Sequence, residues 1–148
     1  MSTMTNHFEV IAESASLAPL RKKLKSVFET GGFDDKMIHE ILLSVDEVLT
    51  NVIRHGCGVK SGQSGKEKIN ISILDNGDRV EILVEDRRPC FDPRTIPAPK
   101  LPLENPGGLG IHFVRSLMDE VDYEALRPQG NRLRLVKYKK KKERNSEP

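Results

Sequence analysis

The sequence contains no tryptophan, only two cysteines and no apolar run long enough to span a bilayer. Cys57 and Cys90 form no C-x-x-C pair, and no histidine stands at the spacing that a zinc site would need. The N-terminus lacks the charged and then apolar pattern of a signal peptide. These absences argue against a disulfide scaffold, a zinc domain and a membrane protein, and they favour the reducing cytoplasm.

The charge of the chain is unevenly distributed. Of 148 residues, 36% are hydrophobic and 31% are charged, with a net charge of +2, which is typical of one small soluble domain. From Lys137 onward, six basic residues face two acidic ones, so this segment carries +4 and the remainder −2. We assign a folded domain to residues 1–138 and a basic, disordered tail to 139–148. The tail could contact nucleic acid or anionic lipid, but without interleaved aromatic residues a solvated terminus is favoured.

Apolar periodicity predicts five strands and three helices, which indicates an α/β or α+β domain. Asn76-Gly77 predicts a hairpin turn between two of the strands. The predicted strands lie at 8–11, 69–73, 80–84, 121–126 and 132–138, and the predicted helices at 16–29, from Asp34 or Asp35 to about Gly56, and at 111–118.

A proline-rich connection of about twenty residues precedes the last helix. Six of the nine prolines lie between Arg87 and Pro106, and such long connections are usually lids, binding loops or disordered linkers. Gly107-Gly108-Leu109-Gly110 then opens the helix, where backbone N–H groups can bind phosphate. No Walker lysine and no G-x-G-x-x-G follow, which argues against a P-loop enzyme and a Rossmann dinucleotide site.

Glu47 and Asn51 are four residues apart in the long second helix and therefore share one helix face. A carboxylate there can accept a proton and an amide oxygen can bind Mg²⁺, although a solvated polar face is the simpler interpretation of the pair alone. His55 continues the same face. Asp86 ends a strand, where it can accept a hydrogen bond from an exocyclic amine or simply cap the following turn.

Taken in order, these motifs resemble the ATP-binding domain shared by histidine kinases and gyrase-type ATPases, and most closely the bacterial anti-sigma-factor serine kinases. The resemblance extends from about Phe8 to Tyr138. It rests on three segments: Glu47 to Gly56 resembles the asparagine box, Asp86 to Pro93 the first aspartate-glycine box, and Gly107 to Ile111 with the following helix the second glycine box.

The resemblance implies a two-layer sandwich of the Bergerat type, in which about three helices cover one face of a mixed, mostly antiparallel sheet. It also implies a cytoplasmic, homodimeric protein serine/threonine kinase that uses ATP and Mg²⁺, phosphorylates an anti-anti-sigma domain and sequesters a sigma factor. Glu47 would be the general base, Asn51 the Mg²⁺ ligand and Asp86 the residue that reads the adenine amine. The remaining nucleotide-binding residues would be His55, Phe91, Gly107, Gly108, Leu109, Gly110 and Ile111.

Two positions depart from the family pattern. Arg88 stands where the aspartate box usually has glycine, and Cys90 stands where a small residue or proline is common. The arginine side chain could crowd the adenine pocket or swing out to meet a phosphate.

The departure at Arg88 leaves an alternative open, namely a regulatory module that binds nucleotide weakly or not at all and acts by docking protein partners. A histidine kinase fragment is disfavoured because no dimerising helix hairpin with a phospho-accepting histidine precedes the domain. A gyrase-like ATPase is disfavoured because the chain is too short for a transducer domain.

Overall fold

The computed structural model describes residues 4–54, 67–88 and 110–139, and within them five strands form one sheet in the order β1-β2-β3-β5-β4. Every pairing between these strands is antiparallel, and three helices complete the predicted α+β fold, which is confirmed. The elements are β1 (Met4–Ile11), α1 (Leu17–Thr30), α2 (Asp35–Arg54), β2 (Lys68–Asp75), β3 (Arg79–Asp86), α3 (Gly110–Leu117), β4 (Glu120–Ala125) and β5 (Asn131–Tyr138), with a short 3₁₀ turn at Ser14–Ser16 before α1.

One face of the sheet is buried beneath the helices. Successive strand residues point to opposite faces, so the alternating apolar residues of β2 and β3 all enter the core. The largest buried contributions from these two strands are Ile69, Ile71, Ile73, Val80, Ile82 and Val84. The alternation visible in the sequence therefore fixes which face of each strand meets the helices.

Helix α2 is the central element of the helical layer. Asp34 caps it, since its Oδ1 accepts a hydrogen bond of 2.8 Å from the backbone N–H of Met37. Its buried stripe, from Met37 to Val52, packs with α1 and α3, which contribute Leu20, Leu24 and Phe28, and Ile111 and Val114, respectively. Because α2 contacts both other helices, it fixes where α3 begins relative to Glu47 and Asn51.

The predicted turns are confirmed and depend on glycine. Gly32 follows α1 with φ of 84°, and Gly77 follows Asn76 with φ of 96°, a left-handed conformation that costs glycine little. The side chain of Asn76 accepts hydrogen bonds from the backbone N–H groups of Asp78 and Arg79. These contacts hold the β2–β3 hairpin and therefore the position of Asp86 at its end.

The other face of the sheet carries a ladder of ion pairs. Arg134 contacts Glu81, Glu120 and Asp122, at 3.1, 3.1 and 2.8 Å. Hydrogen bonds from Tyr138 and then Arg134 hold the pKa of Glu120 below its ordinary value, and the bond to Glu81 raises the pKa of Arg134. Cross-strand charge pairs of this kind stabilise a sheet whose second face has no helical cover among the described residues.

Two lysines at the end of β5 are held by the fold. Lys137, which the sequence counts among the tail charges, is buried; its ammonium lies 2.8 Å from Glu40 and donates to the carbonyl of Leu117. Burial would raise the pKa of Glu40, but the hydrogen bonds from Lys137 and Lys36 outweigh it and hold that pKa low. Lys139 pairs with Asp75 at 2.9 Å. Residues 140–148, the rest of the predicted tail, lie outside the described residues.

No helix in the three described segments is both long and apolar enough to cross a membrane.

Candidate functional site

The start of α3 lies against Glu47 and Asn51 of α2. A Cβ atom added to Gly110 would stand 3.1 Å from Asn51 Nδ2 and 3.9 Å from Glu47 Oε2. The first of these contacts is closer than ordinary van der Waals separation, so glycine is what permits this approach. The structure thus brings together three residues that the sequence singles out, and we call Glu47, Asn51 and Gly110 the α2–α3 cluster.

The α2–α3 cluster combines groups that suit a Mg²⁺-bound phosphate chain. Asn51 supplies an amide oxygen and Glu47 a carboxylate, both hard oxygen ligands, and both side chains are half-buried rather than sealed in the core. Gly110 begins α3, and its missing Cβ lets the side chain of Asn51 lie close to the start of that helix. Mg²⁺ usually keeps several waters and binds one or two protein oxygens together with substrate phosphates, so this sparse donor set fits it.

The remaining described residues offer no alternative metal centre, since no group of three or more histidine, cysteine, aspartate or glutamate side chains lies close enough to hold an ion there.

Asp86 ends β3 on the helix-covered face and is buried. Its Oδ1 accepts three hydrogen bonds: from the backbone N–H of Arg88 at 2.9 Å, from Arg88 Nε at 3.0 Å and from Asn131 Nδ2 at 3.0 Å. Of the two positions that the sequence left open for Arg88, the structure shows the guanidinium turned back onto Asp86. We call Asp86, Arg88, Asn131 and Tyr123 the Asp86 cluster.

Asn131 and Tyr123 are functional candidates that the sequence does not reveal. Asn131 is the partner of Asp86 in the β3–β5 register, and its Oδ1 accepts a 2.6 Å hydrogen bond from the hydroxyl of Tyr123. Asn131 Nδ2 also donates to the carbonyl of Arg88 at 3.3 Å. An asparagine beginning a strand after Gly130 was the available signal, but only the register places it opposite Asp86.

An open cavity of about 230 Å³ adjoins the end of β3. Asn70 and Glu85 line it, and in β2 and β3 these residues alternate with core residues. Asp86 lines it as well, and no residue of α2 or α3 is among its lining residues, so it is not the space between α2 and α3. Its position separates it from the α2–α3 cluster.

Several predicted site residues are not brought into this geometry. The side chain of Ile111 lies in the hydrophobic core, so only the backbone of this residue could contact a ligand bound at the start of α3. The predictions for His55, Phe91, Gly107, Gly108 and Leu109, and for the proline-rich lid, fall outside the described residues.

The fold and the α2–α3 cluster together define a class of protein domain. In it, three helices cover an antiparallel sheet, and a carboxylate and an amide on the central helix face a glycine at the start of the next helix. Residues 10–137 match the model of the family described as the histidine kinase-like ATPase domain. The chain belongs to that family, and within it to the group of relatives of the serine-protein kinase RsbW.

Two relatives illustrate the similarity. The serine-protein kinase RsbW of Bacillus pumilus is 30% identical over 115 residues, covering 72% of this chain and 69% of the relative. RsbW of Staphylococcus epidermidis is 29% identical over 140 residues, covering 89% of this chain and 84% of the relative. Both relatives are named as serine-protein kinases.

A solved structure supports the fold alone. The crystal structure of the RsbU and RsbW domains of a Mycobacterium tuberculosis protein superposes with a TM-score of 0.60 at 18% identity. The match covers 90% of this chain but only 31% of that one, so this chain spans about a third of the multidomain neighbour.

Proposed function

We propose that this protein is an ATP-dependent protein serine/threonine kinase and anti-sigma factor that phosphorylates an anti-anti-sigma domain. The observation that carries the proposal is the α2–α3 cluster, where a carboxylate and an amide meet a glycine at the start of a helix. Membership in a family of kinase-like ATPases with relatives named serine-protein kinases supports the same activity.

The residues of the α2–α3 cluster divide the work of phosphoryl transfer. Bound ATP would supply the γ-phosphoryl group, and Mg²⁺ would offset the negative charge of its phosphates. Asn51 would offer its amide oxygen to Mg²⁺, and Gly110 would let the start of α3 lie close to the phosphates. Glu47 would accept the proton of the serine hydroxyl. The serine oxygen would bond to the γ-phosphorus while the bond from that phosphorus to ADP breaks. Positioning and charge neutralisation, rather than covalent catalysis, would supply most of the rate.

The proposed partners are supported by the similarity to relatives named serine-protein kinase RsbW. The substrate is a small anti-anti-sigma domain, the sequestered protein is a sigma factor, and the kinase acts as a homodimer in the cytoplasm without contacting nucleic acid. The anti-sigma role and the kinase role are joined because phosphorylation of the anti-anti-sigma domain releases the kinase to hold its sigma factor.

Transfer of labelled γ-phosphate from Mg-ATP to a purified anti-anti-sigma domain tests the proposal. We expect Glu47→Gln to lower the transfer rate by at least about 100-fold while leaving Mg-ATP affinity within a few-fold, since a general base acts on the chemical step. Glu29→Gln makes the same chemical change at an exposed position of α1 and should leave transfer unchanged. Equal activity in the two variants would remove Glu47 from the mechanism.

A second candidate function is supported by the Asp86 cluster. Because the Arg88 guanidinium lies on Asp86, the protein could be a module that binds nucleotide weakly and regulates by docking partners. Calorimetry with Mg-ATP separates the two candidates: saturable binding that is lost in Asn51→Ala but kept in Asn70→Ala supports the kinase. Absence of binding by the folded native chain supports the docking module.

A further inference from the structure

Arg88 and Asp86, which are two residues apart in the chain, form an ion pair with little exposure to solvent. The side chain of Arg88 is 10% exposed and that of Asp86 is 3% exposed, with Nε and Oδ1 3.0 Å apart. Such a charge-assisted bond is strong once both groups have left water, because the surroundings screen it little. The charge of the carboxylate is thus offset, and its Oδ1 is occupied, by a side chain only two residues away.

The backbone prepares this contact. The N–H of Arg88 already donates to Asp86 Oδ1 at 2.9 Å, which holds the chain in a tight turn immediately after β3. The side chain of Arg88 therefore starts close to the carboxylate and loses little conformational freedom by pairing with it. Asn131 holds the same oxygen from β5, so Asp86 cannot easily turn to meet another donor.

We propose that Arg88 is an internal competitor for Asp86: it pairs with Oδ1 and offsets the negative charge of the carboxylate, and so weakens the hydrogen bond that Asp86 can accept from the adenine amine. The inference rests on the proposed nucleotide-binding function and adds what governs base recognition in this chain. With Arg88 in place, the guanidinium occupies Oδ1 and offsets the charge of the carboxylate, so an amine meets a weaker acceptor. With Arg88 displaced, Asp86 keeps its two neutral donors, Arg88 N–H and Asn131 Nδ2, and regains an uncompensated charge.

The chemistry of the base gives the proposal a specific signature. The exocyclic amine of adenine donates a hydrogen bond, whereas the carbonyl at the same position of hypoxanthine only accepts one. Removing Arg88 should therefore strengthen binding of ATP much more than binding of inosine triphosphate. A change that merely opened space in the pocket would strengthen both nucleotides alike.

Calorimetric titration of the full chain with Mg-ATP and with Mg-inosine triphosphate tests this. In Arg88→Ala we expect ATP to bind at least about 10-fold more tightly, while inosine triphosphate changes by less than about 3-fold. Arg87→Ala removes the same charge from the exposed neighbouring residue and should behave like the native chain. Arg88→Gln, which keeps a neutral donor of similar length, serves in the same comparison if Arg88→Ala does not fold.

The outcomes separate the two levels of the argument. If the native chain and the Arg88 variant bind ATP with the same affinity, or if the variant binds more weakly, Arg88 is not a competitor and the kinase proposal stands. If both proteins are folded by circular dichroism and neither binds ATP nor inosine triphosphate, the nucleotide site itself is wrong and the inference fails with it.

Discussion

At the α2–α3 cluster, Glu47 and Asn51 are half-buried and face the bare Cα of Gly110, whereas in the Asp86 cluster the carboxylate is buried under three hydrogen bonds. The first arrangement leaves both polar side chains partly exposed. The second supplies three donors to one carboxylate oxygen, Asp86 Oδ1, from within the chain. The two clusters thus differ in how much of their hydrogen-bonding capacity the protein itself uses.

This difference bears on what each cluster contributes to stability. A buried acceptor that loses a donor costs its full desolvation penalty, while a half-buried group can bond to water instead. We therefore expect the Asp86 cluster to be important for folding and the α2–α3 cluster to be nearly neutral for folding but essential for the chemistry.

The largest effect on stability should come from Asn131→Ala. The substitution removes the bond to Asp86 Oδ1 and the acceptor of the Tyr123 hydroxyl, so we expect a loss of about 2 kcal/mol in the free energy of unfolding. Urea denaturation measures it. Asn51→Ala is the matched change in the other cluster and should cost less than about 1 kcal/mol. Similar losses for both variants would erase the contrast between the clusters.

A smaller effect, on binding rather than folding, is expected for Gly110→Ala. The new Cβ would lie 3.1 Å from Asn51 Nδ2, so the amide must shift away from the position it takes beside the start of α3. We expect Mg-ATP affinity to fall roughly 10-fold, about 1.4 kcal/mol, by calorimetry. Ser116→Ala, at an exposed position of the same helix, should leave affinity unchanged. Unaltered affinity in Gly110→Ala would show that the close approach is not needed.

The smallest effect concerns Glu40 and Lys137, which lie outside both clusters and provide a reference for the effect of pH. The pKa of Glu40 is lowered from 4.5 in the folded protein, so its pairing stabilises the fold above that value and is lost as the pH falls through the lower folded pKa. In Glu40→Gln, the loss of unfolding free energy between neutral and acid pH, which we call the acid limb, should be smaller by under about 1 kcal/mol. Urea unfolding midpoints at the two pH values measure it. An unchanged acid limb would assign the pH dependence to other carboxylates.

Much of the α2–α3 cluster could be predicted because its geometry is local. Residues four apart on a helix share a face whatever surrounds the helix. The apolar stripe of α2 predicts the helix, and the helix predicts that Glu47 and Asn51 lie on one face. The glycines before α3 were equally visible. That Gly110 meets Asn51 rather than another part of α2 depends on helix packing and could only be expected from the family resemblance.

Only part of the Asp86 cluster could be predicted from the sequence, namely Asp86 and Arg88. The alternation of β3 placed Asp86 at a strand end, and Arg88 stood out as a departure from the family pattern. The partner Asn131 is 45 residues away, and its position follows from the β3–β5 register. Lys137 was likewise not readable from the sequence. The lysine-rich segment that it begins suggests a solvated tail, yet Lys137 is buried and paired with Glu40.

The sequence by itself determined the elements, the buried face of each and the shared face of Glu47 and Asn51, because periodicity and turn chemistry act over a few residues. Only the tertiary structure decided that Gly110 lies against Asn51, that Asn131 lies opposite Asp86, and that the Arg88 guanidinium covers that carboxylate rather than pointing to solvent. Those choices depend on strand register, helix packing and the desolvation of charge, which are set by the whole chain and not by any local segment.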